Sequence, residues 1–133
     1  MNLVVNAIVK RGNHFLIIKR SSKDEIHPEK WSFPGGKLEE GETILEALKR
    51  ELKEEVCLDI GDDLIYIADY SYIRKDKSNI LGISFLVKSF NSNVKKGKEI
   101  QDFKWVTVEE LSKYKVTGSL EEEMLKALSK DLT

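Results

Sequence analysis

No run of apolar residues in this chain is longer than a few positions, so a helix crossing a bilayer is excluded and no membrane partner is expected. Cysteine is nearly absent. The single thiol, Cys57, has no internal partner, which fits a reducing compartment and leads us to expect a cytoplasmic protein. With 2 prolines and 8 glycines the sequence is neither fibrous nor low-complexity. Charge of one sign is lacking too: 22 basic side chains stand against 23 acidic ones, a formal charge of -1. That removes the basic field needed to bind a duplex, so no nucleic-acid partner is expected. A small-molecule nucleotide remains compatible, because such a site is built locally. The start, MNLVVNAIVKRGNHF, has no apolar stretch followed by a small-residue cleavage site, so no secretory signal is expected. What is present is 133 residues, 41% of them hydrophobic, which suits one domain over 1–133 with a real core.

The pattern along the chain mixes strands and helices. Leu3–Val9 and Phe15–Ile18 read as strands around the turn Arg11-Gly12-Asn13, a first hairpin. Residues 20–30 are polar and read as a loop. Thr43 with Glu46 three residues on has the form of a capping box, and apolar residues recur at helical spacing from Ile44 to Val56. Asp62–Lys75 and Ile80–Phe90 are rich in Ile, Val, Tyr and Phe and flank a turn at Asp76–Asn79, a second and longer hairpin. Phe103–Val106 is a further strand. Thr107 with Glu110 caps a short helix, and Ser119 with Glu122 caps a last one, whose acidic run Glu121-Glu122-Glu123 reads as a solvated face. Elements of this number and kind point to an α+β fold, a mixed β-sheet flanked by helices.

The glutamates of the central helix break its pattern. On a wheel with Ile44 at zero, the apolar arc runs from Ala47 at about -60° through Leu48 and Leu52 to Val56 at about 120°. Lys49, Lys53, Glu46 and Arg50 lie on the far side. Glu55 falls at about 20° and Glu51 at about -20°, inside the arc, with Glu54 at about -80° beside it. An ionised carboxylate on the core side costs several kcal/mol unless it is paired or metal-bound. Neighbouring carboxylates raise one another's pKa unless a cation neutralises them. A hard divalent cation, Mg2+ or Mn2+, resolves this with oxygen ligands alone. Residues 36–59 hold eight acids against four bases, so negative charge concentrates on this segment. The preceding Gly35-Gly36 pair lets backbone approach a ligand or metal closely, though paired glycines by themselves more often make a turn.

Gly36, Glu42, Arg50-Glu51-Leu52-Lys53-Glu54-Glu55 and Leu58 stand at the spacing of the Nudix box, and WSFPGGKLEEGET resembles the flank of that box in the MutT-like branch. The box covers 23 residues, and the element order around it also fits. One position departs: Cys57 stands where the family has a glycine. A residue with a side chain there costs on the order of 1 kcal/mol or forces a different helix exit. The resemblance implies an α/β/α sandwich and a divalent-metal pyrophosphohydrolase acting on a nucleoside diphosphate linked to another group. It implies that Glu51, Glu54 and Glu55 bind the metal or act on the attacking water. It also implies that Gly35 or Gly36 offers a carbonyl, that Arg50 orients a glutamate and that Glu42 braces the loop. Glu99 matches an acid that many relatives contribute from outside the box.

Candidates for the substrate are Arg20 and Lys19, at a strand end suited to a distal phosphate, and Trp31, Phe33 and Tyr72, with Tyr70 and Phe85 alternating on strands nearby. Trp31 and Phe33 read first as core, and His27 as surface. The leading expectation is Mg2+-dependent hydrolysis of a (d)NTP to (d)NMP and pyrophosphate, by a monomer or homodimer. The alternatives are an ADP-ribose or nucleotide-sugar pyrophosphatase, an inactive nucleotide-binding module, and an interaction domain whose acidic helix is merely solvated. Clearing oxidised nucleotides is disfavoured, because the loop Lys115–Ser119 lacks the asparagine with which such relatives read the purine.

Overall fold

The structure, a computed structural model, describes residues 2–21, 29–91 and 93–130. Its centre is strand β1 (Asn2–Arg11), which pairs in parallel with β6 (Asn79–Ser89) along Asn2–Val9. On its other side β1 pairs antiparallel first with β4 (Gly35–Lys37) and then, at Lys10 and Arg11, with β2 (His14–Arg20). The first hairpin therefore exists, but only at its tip. Beyond it β2 diverges to pair with β7 (Ile100–Val106) and with the short β3 (Trp31–Ser32). Strand β5 (Ile60–Ile73) forms the second hairpin with β6, with the turn at Arg74–Ser78. The result is one mixed sheet.

Both faces of this sheet are covered. Helix α1 (Ile44–Val56) packs its Ala47, Leu48, Leu52 and Val56 onto Val5, Ala7, Val9, Leu16 and Ile18. Helix α2 (Leu120–Leu128) and a 3-10 turn over Val108–Lys113 cover the opposite face. There Leu120, Met124 and Ala127 meet Ile8, Phe15, Ile17 and Leu86. Alternate residues of β1 and β2 thus enter two different cores, which is why these strands read as continuous apolar runs. Truncating a fully buried leucine such as Leu48 or Leu52 to alanine is worth about 2–5 kcal/mol.

Two local features shape the surroundings of the site. A bulge between Tyr66 and Ala68 shifts the phase of β5. Leu64 and Tyr66 lie on the α1 face, whereas Tyr70 and Tyr72 turn to the α2 face. Phe85, paired with Tyr66, therefore points away from Tyr70 and Tyr72. Residue 57 keeps the left-handed exit of α1 (φ 57°), with the Leu58 and Cys57 amides donating back to the Leu52 and Lys53 carbonyls. The helix exit is that of a glycine, made by a cysteine at a conformational cost of about 1 kcal/mol.

The glycines Gly35-Gly36 form β4, because antiparallel pairing with Val5 and Asn6 satisfies their backbone. The Thr43–Glu46 capping box is formed in both directions. The Ser119–Glu122 box is not: the Ser119 hydroxyl donates to Glu123 Oε2 at 2.6 Å instead. Nor is the acidic run at 121–123 wholly solvated, since Glu123 is buried.

Candidate active site

Helix α1 turns two carboxylates inward. Glu55, 8% exposed, sits where the wheel placed it. Its Oε1 accepts the Gly35 amide at 2.8 Å, and its Oε2 pairs with the Arg20 guanidinium. Arg20 also donates from Nη2 to the Gly35 carbonyl at 2.8 Å. Burial pushes the Glu55 carboxyl up to about 7, against the lowering pull of Arg20 and the Gly35 amide. The Glu51 side chain is 14% exposed and lies against β4, where a Cβ on Gly36 would come within 2.6 Å of its carboxylate. Gly36 leaves room for this carboxylate, which occupies the place a side chain at 36 would take. Burial raises the Glu51 pKa as well, and Arg50 opposes that rise.

Arg50 ties the segment together. It donates through Nε and Nη2 to Glu42 at 2.7 and 2.9 Å, through Nη1 to Glu51 at 2.7 Å, and through Nη2 to the Lys37 carbonyl at 3.1 Å. Those bonds hold the Glu42 carboxyl down at about 2. Glu42 also receives the Glu39 amide, so it braces the loop entering α1. Glu54 is different: its side chain is 61% exposed, with Arg50 3.6 Å away.

Glu99 reaches the site because the segment before β7 docks on the end of α1. The Gly97 amide donates to the Glu55 carbonyl and the Lys95 amide to that of Val56. A Cβ on Gly97 would lie 2.2 Å from the Glu54 carbonyl, so only glycine permits this approach.

These groups border a cavity of about 480 Å³. Glu51, Glu55, Glu99, Arg20, Gly35, Gly36 and Lys37 lie on one part of its wall. Asn6, Phe33, Tyr70, Tyr72, Ser119 and Glu123 lie on another. Tyr70 and Tyr72 stack with centroids 6.2 Å apart, and the Tyr70 ring lies over Gly82, where a Cβ would meet it at 2.2 Å. Asn6 Nδ2 donates to the Tyr70 hydroxyl at 2.8 Å. Of the residues singled out from sequence, Glu51, Glu55, Glu99, Gly35, Gly36, Arg20, Phe33, Tyr70 and Tyr72 line this cavity. Lys19, Trp31, Arg50, Glu54 and Phe85 do not. Lys19 pairs with Trp31 on the strand register opposite in phase to Arg20, and Trp31 is buried edge-on against Tyr114. His27 lies outside the described residues. Asn6 and Glu123 escaped the sequence reading. Neither stands in a motif, and only the apolar spacing of Leu120, Met124 and Ala127 around Glu123 could have signalled its burial.

Among the described residues, no three acidic, histidine or cysteine side chains converge closely enough to chelate an ion as they stand. The donor chemistry nevertheless fits a hard cation. Glu55 Oε2 and the Gly35 carbonyl both turn toward one positive group, the Arg20 guanidinium, and every neighbouring donor is oxygen.

The NUDIX domain family matches residues 2–128. Nucleoside triphosphatase NudI of Escherichia coli is 31% identical over 121 residues, covering 84% of this chain and 85% of that protein. The E. coli ORF135 protein superposes with a TM-score of 0.78 at 27% identity, over 97% of this chain and 91% of that one. A MutT NUDIX hydrolase from Burkholderia pseudomallei gives a TM-score of 0.81 at 19% identity, over 94% and 96%. A match spanning nearly the whole chain, with the three box glutamates in place on one helix, makes this chain a member of the Nudix family, a MutT-like hydrolase of phosphoric anhydride bonds.

Proposed function

We propose that this chain, acting as one domain in the cytoplasm, hydrolyses a nucleoside triphosphate to the monophosphate and pyrophosphate with Mg2+, Mn2+ serving in its place. One observation carries the reading: the buried carboxylate of Glu55 shares a cavity wall with Glu51, Glu99 and the Gly35 carbonyl, across from a wall of aromatic and amide groups. The similarity to a nucleoside triphosphatase over 84% of the chain supports it.

In this reading Glu51, Glu55 and Glu99, with the carbonyl of Gly35, hold the metal. The ion supplies charge neutralisation of the polyphosphate and a lowered pKa for bound water. Arg20 passes from Glu55 to the substrate's terminal phosphate, a role suited to its planar, multi-donor head. Arg50 holds Glu51 in place through its bonds to Glu42 and the Lys37 carbonyl. In the same reading Glu54, the most exposed of the three, takes the proton of the attacking water. Tyr70, Tyr72 and Phe33 give the base an apolar surface.

The test is a panel of NTPs, dNTPs and ADP-sugars incubated with Mg2+, with the phosphate products separated. Monophosphate plus pyrophosphate from a triphosphate is expected, together with loss of turnover by about 100-fold or more in Glu54→Gln and Glu55→Gln. Turnover of ADP-sugars alone, or of nothing by a folded protein, overturns the reading.

A further inference from the structure

The last turn of α1 serves the cavity twice. Its inner side carries Glu55, and its final carbonyls hold the segment that delivers Glu99. A helix leaves its last carbonyls without helical partners. Here the left-handed exit returns the Cys57 amide to the Lys53 carbonyl. The Glu55 and Val56 carbonyls are taken by a distant stretch of chain, through the Gly97 amide at 2.9 Å and the Lys95 amide at 3.0 Å. Val94 and Ile100, at the two ends of this strap, pack into the core under α1. Between them the Gly97 carbonyl accepts the Ile100 amide at 3.1 Å, and the Glu99 carbonyl accepts the Ser21 amide at 2.9 Å. Backbone bonds from α1, from the strap itself and from the end of β2 therefore set where Glu99 meets the cavity wall.

The seat at Gly97 has no slack. A Cβ there would lie 2.2 Å from the Glu54 carbonyl oxygen and 3.4 Å from the Glu55 Cα. The Gly97 φ is not positive, so a side chain would violate the close approach and not the backbone conformation. To reach ordinary contact distance the strap would have to lift by about 1 Å. With Val94 and Ile100 anchored in the core, the residues between them absorb that lift, and Glu99 is one of them. We propose that Gly97 is a positioning residue of the metal site, seating Glu99 against the turn of α1 that carries Glu54 and Glu55 so that the acids of both segments stand as one set. The inference rests on the reading above in which Glu99 holds the metal. A group displaced by about 1 Å can cost about 100-fold in rate. Loss of a group that orients a metal ligand costs about 10- to 100-fold in metal affinity.

Mn2+ binding without nucleotide, followed by the free-ion signal in electron paramagnetic resonance, tests this apart from hydrolysis. The native chain is compared with Gly97→Ala, Glu99→Gln and the double variant. Gly97→Ala is expected to weaken Mn2+ binding about tenfold, as Glu99→Gln does, and the double variant should bind no more weakly than Glu99→Gln alone. Turnover of a triphosphate should follow the same cycle, with a loss of about 100-fold in Gly97→Ala and none added to Glu99→Gln. A glycine needed only for folding would lower the melting temperature and give losses that multiply. Should Gly97→Ala fail to fold, Lys95→Pro, which deletes only the amide bonded to Val56, should reproduce the cycle at smaller amplitude. Losses that multiply overturn the proposal, as does native Mn2+ affinity in a folded Gly97→Ala or in Glu99→Gln. A non-additive Mn2+ cycle in a chain that hydrolyses no triphosphate keeps Gly97 in this role and removes the hydrolytic reading. Triphosphate hydrolysis by a chain whose Mn2+ losses multiply does the reverse.

Discussion

Glu55→Gln separates the electrostatics of the metal-free site from the packing around it. In the folded chain this carboxyl titrates at about 7, against 4.5 for an unperturbed glutamate. A raised carboxyl means that the fold holds the proton more tightly than the unfolded chain does. Its stabilising contribution is therefore complete below pH 4.5 and is lost as pH rises through 7. The interval corresponds to about 3 kcal/mol. For a chain of this size that is a melting shift of about 10 °C. Glutamine does not titrate, yet it keeps an oxygen for the Gly35 amide. Other titrating groups are shared by both proteins and largely cancel. In EDTA, the melting temperature of the native chain relative to Glu55→Gln should thus fall by about 10 °C between pH 4.5 and pH 8. Added Mg2+ at pH 8 should then raise the melting temperature of the native chain and leave the variant unmoved, because the ion replaces the missing proton. Parallel melting curves across the pH range would refute the claim that Glu55 is a frustrated buried acid. An equal response of the two proteins to Mg2+ would refute its place among the ligands.

Three further substitutions probe other links. Gly36→Ala places a Cβ where the Glu51 carboxylate now lies, 2.6 Å from it. Glu51 swings aside rather than the backbone, so turnover should drop by about 100-fold while the melting temperature moves by only a few degrees. Cys57→Gly removes the penalty of a side chain at φ 57°, and a rise of about 2–3 °C in melting temperature with unchanged kcat is expected. Arg50→Lys cannot serve Glu42, Glu51 and the Lys37 carbonyl at once, so kcat should fall at least tenfold with a stability loss of about 1–2 kcal/mol by denaturant titration.

Much of this site could be read in the sequence, because its logic is periodic. The wheel put Glu55 inside the apolar arc of α1, and it is buried there. Capping at Thr43 was equally legible, since the motif is local. The parts that escaped depend on contacts between segments distant in sequence. Gly35 and Gly36 become a strand only because β1 offers them an edge. A bulge between Tyr66 and Ala68, invisible as composition, decides that Tyr70 faces the cavity and Phe85 does not. Glu123 looks like its neighbours Glu121 and Glu122. Only the rotation of a short helix, set by Leu120, Met124 and Ala127, distinguishes it.

The charge around the cavity gives a reason for it to work with a cation. Its wall carries four carboxylates, Glu51, Glu55, Glu99 and Glu123, against two basic side chains, Arg20 and Lys37. Arg20 pairs with Glu55, yet the carboxyl still rises to about 7, so one guanidinium does not repay burial at that depth. An anionic polyphosphate entering this wall alone would add to the repulsion. Entering with a divalent cation, as proposed above, it would bring positive charge to the acids of α1 and would free Arg20 to meet phosphate. On that proposal substrate and metal would stabilise each other's binding, and the affinity for nucleotide should rise with Mg2+ concentration far more in the native chain than in Glu55→Gln.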